Sequence, residues 1–238
     1  MTNSFKKIFI TGATHGIGKA TAELFCNHGW QVFGISSNDA DQRGAEMMQQ
    51  LPLFRYAKID VRDEKAVAGF LDEIGDIDAA FNNAGTGKVP EKPETVDISC
   101  AKEVIETNLI GTMICMKHEI KHLKKGVIIN NASIAALKAG TGADAAYSAS
   151  KAGIMRLTAE AAVCPEYRDR IAFFTILPGY IKTRMTAADD EKKIMAKLPH
   201  GRMGMPRDVA DLVYRIIENN YAFTSGQCFN IDEGAFLI

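Results

Sequence analysis

The sequence predicts an α/β fold, with one doubly wound, mostly parallel seven-stranded sheet covered by helices on both faces. Three observations carry that expectation. Short β-branched and aromatic runs alternate with longer segments whose apolar residues recur at helical spacing. Several of the runs are apolar nearly throughout, as strands buried on both faces must be. Finally, a glycine-rich turn stands between the first run and the first helical segment.

In chain order, strands are expected at 7–11 (KIFIT), 31–35, 54–59, 79–82, 127–131 (VIINN), 171–177 (IAFFTIL) and 227–231. Helices are expected at 17–28, 40–50, 64–74, 99–123, 146–163 and 207–219. Parallel neighbours need crossovers of a dozen or more residues, and right-handed crossovers place helices on both sheet faces. No Pro/Gly/Ser linker or repeat divides the chain, so a single domain over 1–238 is expected. Ligands of such sheets bind beyond the carboxyl ends of the strands, where the strand order reverses. Residues that directly follow strands are therefore the candidates for function.

Composition narrows the classes. A formal charge of −1 gives no reason for a nucleic-acid or anionic-membrane partner. Nothing approaches the ~18 continuous apolar residues of a membrane span, and MTNSFKK has no apolar core of a signal peptide, so a soluble cytoplasmic protein is expected. Cys26, Cys100, Cys115, Cys164 and Cys228 are scattered without a CxxC pair, which favours small buried hydrophobes over disulfides. His118, His122 and His200 lack acidic or cysteine partners at ligand spacing, so no metal site is expected.

After the first strand comes Thr11-Gly12-Ala13-Thr14-His15-Gly16-Ile17-Gly18. Gly12 permits the tight turn, Gly16 lets backbone approach a pyrophosphate, and Gly18 allows close helix–strand packing. The following helix N-terminus offers unpaired N–H groups to an anion. Farther along, Asn82-Asn83-Ala84-Gly85 follows the fourth strand, Asn108 interrupts the apolar pattern of segment 99–123, and Ser133 follows the fifth strand. Tyr147 and Lys151 stand four apart on a predicted helix, and Pro178-Gly179 followed by Thr183 closes the sixth strand. An ammonium ~4 Å from a phenolate, at an effective dielectric of ~20, favours the ionised form by about 4 kcal/mol, so Lys151 could bring Tyr147 toward neutral pH. The Ser133 hydroxyl could bond a substrate oxygen where charge develops. Each feature also has a plainer reading: a surface pair, a turn cap, a helix kink.

In this order, TGxxxGxG, NNAG, Asn108, Ser133, YxxxK and the Pro-Gly turn resemble the short-chain dehydrogenase/reductase family, over residues 7 to 234. Bacterial 3-oxoacyl-carrier-protein reductases are the nearest in feel. The resemblance implies a Rossmann-type oxidoreductase that moves a hydride between a nicotinamide and a carbonyl or secondary alcohol. It implies Tyr147 as the acid–base, Ser133 as substrate-oxygen donor, Asn108 as holder of a relay water and Lys151 as ligand of the nicotinamide ribose. It further implies a cofactor cleft lined by Gly12, Thr14, His15, Gly16, Ile17, Gly18, Asp60 and Val61 at the adenine, Asn82, Ala84, Gly85, Pro178, Gly179, Ile181 and Thr183 at the carboxamide.

The position after the second strand, where NAD-preferring relatives carry an acid, holds Ser36, followed by Ser37 and Asn38. His15 stands where NADP-dependent relatives often carry arginine. NADP(H) is therefore the expected cofactor, with NAD(H) the alternative that nearby Asp39 would favour. Residues 184–205 match the family's substrate lid, with Met185, Ile194, Met195, Leu198, Met203 and Met205 as an apolar wall, and 139–145 could form another pocket edge. Lys117, Lys121, Lys124 and Lys125 could dock an acidic carrier or simply face water. The family implies a homo-oligomer, a tetramer or dimer. Two other functions stand beside this one: a non-catalytic cofactor sensor or scaffold, and an epimerase or dehydratase of the related extended type. The retained Tyr147 and Lys151 speak against the first, and the absence of a longer C-terminal region against the second.

Overall fold

The computed structural model describes residues 5–37, 42–87, 93–187, 190–196, 198–219 and 224–237. Seven strands, β1 (Lys7–Thr11), β2 (Gln31–Ser36), β3 (Phe54–Lys58), β4 (Ala79–Asn82), β5 (Gly126–Asn131), β6 (Ile171–Pro178) and β7 (Cys228–Ile231), form one sheet. Its order is β3-β2-β1-β4-β5-β6-β7 and every neighbouring pair is parallel. The doubly wound Rossmann-type fold read from the sequence is thus present, with a fully parallel sheet. The chain builds outward from β1 to β3, then crosses back to lay β4 on the other side of β1. That reversal opens a crevice at the carboxyl ends of β1 and β4.

Helices α1 (Gly16–Asn27), α2 (Arg43–Gln50), α3 (Glu64–Ile74), α4 (Ile98–Ile105), α5 (Gly111–His122), α6 (Ala145–Val163), α7 (Glu191–Met195) and α8 (Pro206–Asn219) cover the two faces. Alternation along the strands decides which layer each residue enters. Ile8 and Ile10 join Phe25, Val32, Phe81, Ile129, Phe174 and Val213 in the core under α1 and α8. Phe9 joins Phe33, Leu71, Ala80, Ile128 and Phe173 in the core under α3, α5 and α6. Each such side chain contributes ~1.5–3 kcal/mol of burial. The cysteines depart from expectation, because only Cys115 is fully buried while Cys228 lies on the exposed edge strand β7.

Segment 99–123 is not one helix. Residues Glu106–Ile110 form a π-turn between α4 and α5, centred on fully buried Asn108. The Asn108 side chain accepts from the Thr86 N–H (2.7 Å) and donates to the Thr86 carbonyl (2.9 Å) and Ser150 Oγ (3.0 Å). Its own carbonyl accepts from Thr112 Oγ1 (2.7 Å). The wider turn is stabilised by these bonds, which apolar periodicity cannot register.

Candidate active site

The phosphate loop leaves β1 at Thr11. Thr11 Oγ1 accepts from the N–H groups of Asn83 and Ala84 (both 2.9 Å), which fastens the end of β4 to the end of β1. Asn83 Nδ2 reaches the carbonyls of Thr11 (3.2 Å) and Gly12 (3.4 Å). The loop is so tight that a Cβ on Gly18 would lie 2.1 Å from the Gly12 carbonyl oxygen. Gly12 and Gly16 adopt φ of 66° and 51°, conformations that glycine alone takes without strain.

The described helices differ at their N-termini: α2 has no side-chain cap but carries Glu46 in its first turn, and α5, also without a cap, continues directly from the π-turn. Aspartates 63, 97, 144 and 190 cap α3, α4, α6 and α7 through their carboxylates. By contrast, His15 gives α1 no side-chain cap, and the first turn holds no acidic residue. The leading N–H groups and positive dipole end therefore point toward the crevice, with no acidic side chain in the first turn to complement them. A diphosphate fits that donor set, and Gly16 leaves room for it beside Thr183 Cγ2.

His15 turns toward the start of the lid. Arg184 donates to His15 Nε2 (2.9 Å), so His15 Nδ1 carries the proton toward Thr14 Oγ1 (2.9 Å). Thr14 Oγ1 meets Ser36 Oγ (3.0 Å), which lies 3.4 Å from the Tyr56 hydroxyl. A polar row thus runs from the lid across the loop to the end of β2. Exposed Ser37 follows it, while Asn38 and Asp39 lie outside the described residues. At the end of β3, the Asp60 carboxylate is held by Arg62 Nε and Nη2 (2.6–3.1 Å), which lowers its pKa. Val61 is buried against Gly111 beside the π-turn.

Across the crevice, Asp144 caps α6 by accepting from the Tyr147 N–H (2.7 Å), which fixes the first turn that presents the tyrosine. Lys151 follows one turn later, 3 % exposed, and its Nζ donates to the Asn131 carbonyl (2.7 Å). The ammonium sits 5.5 Å from the centre of the Tyr147 ring. Burial lowers the Lys151 pKa to about 8. Desolvation also raises Tyr147 above its ordinary value, while the Ser133 hydroxyl hydrogen bond pulls it down and Asp144 adds to the rise. This direction differs from the sequence expectation. With the ammonium over the ring rather than against the hydroxyl, desolvation outweighs its attraction.

Ser133 lies two residues beyond β5, and its Oγ accepts from the Ala135 N–H (3.2 Å). A Cβ on Gly85 would come within 3.2 Å of Asn108 Oδ1 and 3.4 Å of Lys151 Nζ, so that glycine admits both groups to the crevice floor. Ala84 lies beside it. Asn82 points elsewhere, beneath the crevice, where it meets Glu119 and Asn130. At the end of β6, Pro178 pairs with Ile231 of β7, Gly179 packs against Asp232, and buried Ile181 bridges to Gly204. That bridge closes the base of segment 184–205, of which 188, 189 and 197 lie outside the described residues. Leu198 and Met203 are buried with Ile134 and Ile154, Ile194 and Met195 pack partly against them, and Met185 and Met205 are exposed. The Tyr180 hydroxyl donates to the Thr141 carbonyl (2.6 Å), joining the lid base to segment 139–145.

Three residues at the crevice were not singled out from sequence. Asn83 lay inside a quoted motif without a role, Asn131 precedes Ser133 by two positions, and Arg184 adjoins Thr183. Position just after a strand was the available signal for the two asparagines.

Residues 6–194 match the family described as short chain dehydrogenase. A cis-4-hydroxycyclohexanecarboxylate dehydrogenase of Sinomonas cyclohexanicum is 31 % identical, with 94 % of each chain covered. A cyclohexanol dehydrogenase of Acinetobacter sp. (strain SE19) is 34 % identical over 99 % of this chain and 97 % of its own. Among solved structures, ElxO with NADP bound superposes with a TM-score of 0.89 at 28 % identity, covering 99 % of this chain and all of that one. With the ordered motifs, the sheet order and the crevice all in agreement, the chain belongs to the short-chain dehydrogenase family.

Proposed function

We propose that this protein is an NADP(H)-preferring oxidoreductase that interconverts a ketone and a secondary alcohol, with Tyr147 as the general acid and base. The observation that carries the reading is the convergence of Ser133, Tyr147 and Lys151 opposite an uncapped helix N-terminus. A bound nicotinamide dinucleotide supplies or accepts the hydride. Gly12, Gly16, Ile17 and Gly18 present the backbone for its diphosphate, and Lys151 and Thr183 hold the nicotinamide half. In the reducing direction, Ser133 donates a hydrogen bond to the substrate oxygen and Tyr147 gives it a proton. The Lys151 ammonium near the ring favours loss of the Tyr147 proton, working against burial, and Asn108 anchors the π-turn beside it. The added positive charge of an oxidised nicotinamide acts in the same direction.

The cofactor preference rests on Ser36 in place of an acid, on the hydroxyl row from Thr14 to Tyr56, and on the Arg184 guanidinium beside His15. ElxO, similar over its whole length, holds NADP. A cyclic secondary alcohol is the first substrate class to try, since both curated relatives named above act on hydroxycyclohexane rings and the lid wall is apolar. The test is NADPH and NADH oxidation, followed by absorbance, with cyclohexanone derivatives, linear ketones and 3-oxoacyl esters. Turnover of ketones with NADPH ahead of NADH is expected. No turnover of any carbonyl with either nucleotide contradicts the reading.

A further inference from the structure

Two rungs of asparagine join β4 to β5 where both strands reach the crevice. Asn82 stands opposite Asn130 in the parallel register. Just beyond, Asn131 Nδ2 donates to Asn83 Oδ1 (3.0 Å). This upper rung touches the site on both sides. Asn83 grips the phosphate loop through the Thr11 and Gly12 carbonyls, and the Asn131 carbonyl receives Lys151 Nζ.

The lower rung faces the α5–α6 layer. Asn82 Nδ2 donates to Glu119 Oε2 and to Asn130 Oδ1, both at 2.9 Å. Asn130 Nδ2 donates in turn to Thr158 Oγ1 of α6 (2.8 Å). Glu119, on α5, has no exposed surface. Its Oε1 and Asn82 Oδ1 are buried oxygens with no hydrogen-bond partner among the described residues. An ionised carboxylate would put a full charge among acceptors that already lack donors, whereas the neutral acid carries an O–H.

Among the described residues nothing charged offsets it. Its own helix offers the buried Cys115 thiol one turn away, itself pushed well above the ordinary range chiefly by burial and so uncharged. From α6 comes Thr158, and from β4 and β5 come the asparagines. His118 and His122 of α5 turn instead to Glu64 and Asp72 of α3. Lys151 is held one rung higher. Burial accordingly raises the Glu119 pKa to about 8, with the Asn82 amide pulling the other way.

We propose that Glu119 is a positioning residue: as a neutral carboxylic acid it locks the lower asparagine rung and thereby sets the upper rung that places Lys151 and the phosphate loop. The inference rests on the dinucleotide reading of that loop. Because the folded pKa lies above the unfolded value of 4.5, the stability this group contributes is complete below pH 4.5 and is lost as pH climbs to about 8. Buried Lys151 has the opposite sign in a different window, with stability rising between about 8 and 10.5. Ionisation of Glu119 in the folded protein, above about 8, loosens the rung and the cofactor site with it.

The experiment measures Tm against pH without cofactor, and NADPH binding by fluorescence, for the wild type, Glu119→Gln and Glu119→Met. Glutamine keeps the acceptor and removes the charge; methionine keeps only the volume. The wild-type Tm is expected to fall from pH 5 to 8 relative to Glu119→Gln. Glu119→Gln should match wild-type NADPH affinity at pH 7 and bind about tenfold tighter than wild type at pH 9, whereas Glu119→Met should bind about tenfold weaker at pH 7. Superimposable pH series for wild type and Glu119→Gln overturn the proposal, as does a folded Glu119→Met with wild-type NADPH affinity. Should Glu119→Met not fold, the Glu119→Gln series decides alone. A wild type that binds neither NADPH nor NADH sinks the dinucleotide reading and the positioning role together, while the cofactor-free Tm series still decides whether Glu119 is held neutral.

Discussion

At the scale of single residues, the site is a matter of which groups burial and neighbours leave able to exchange a proton or meet an anion. Lys151 loses water on every side and is held by one carbonyl, so its proton is less firmly bound than that of a surface lysine. In the proposed function, Ser36 takes the place of a carboxylate that would repel a second phosphate. Replacing Ser36 with Asp should weaken NADPH binding by at least about tenfold and move the kcat/KM ratio toward NADH. An unchanged ratio contradicts the assignment of Ser36. Residue types at fixed intervals made Tyr147, Lys151, Ser133 and Ser36 candidates from sequence, and the fold brings the first three to one crevice. Glu119 was not, because one acid in a helix with lysines around it looks solvated, and only the tertiary packing buries it. The Arg184–His15 contact spans 169 positions and likewise leaves no local trace.

At the scale of elements, the decisive feature is the contrast between helix ends. Four helices carry aspartate caps worth ~1 kcal/mol each, and α1 forgoes that stabilisation where an anion would replace it. Gly18 makes the approach possible. Gly18→Ala should lose dinucleotide binding and about 1–3 kcal/mol of stability, since a Cβ there meets the Gly12 carbonyl at 2.1 Å. Urea unfolding and NADPH titration of that variant check both halves, and wild-type values in both contradict the loop geometry. Strand positions were legible because short runs of four to eight β-branched, aromatic or apolar residues stand between longer helical segments. The break in 99–123 was not, because a π-turn adds one residue without disturbing the polarity pattern much. Asn108 alone hinted at it.

At the scale of the whole molecule, the reversal of strand order between β1 and β4 fixes where every functional segment converges. That convergence was legible because β-α-β alternation and right-handed crossovers admit few topologies. The assembly is another matter. Ile98, Ile110 and Met113 on the α4–α5 segment and Val163 at the end of α6 are 42–65 % exposed, an unusual cost for an isolated surface. In keeping with the proposed function, they predict a homo-oligomer, seen by light scattering as a multiple of 26.0 kDa. A monomeric mass at micromolar concentration contradicts it.

The central claim is that Tyr147 exchanges the proton while other groups hold the cofactor. Its most direct test is Tyr147→Phe, assayed for ketone-dependent NADPH oxidation and, separately, for NADPH binding. The account predicts a loss of kcat of at least about a thousandfold with NADPH affinity changed by less than about threefold. A Tyr147→Phe protein that turns over ketone near the wild-type rate contradicts it.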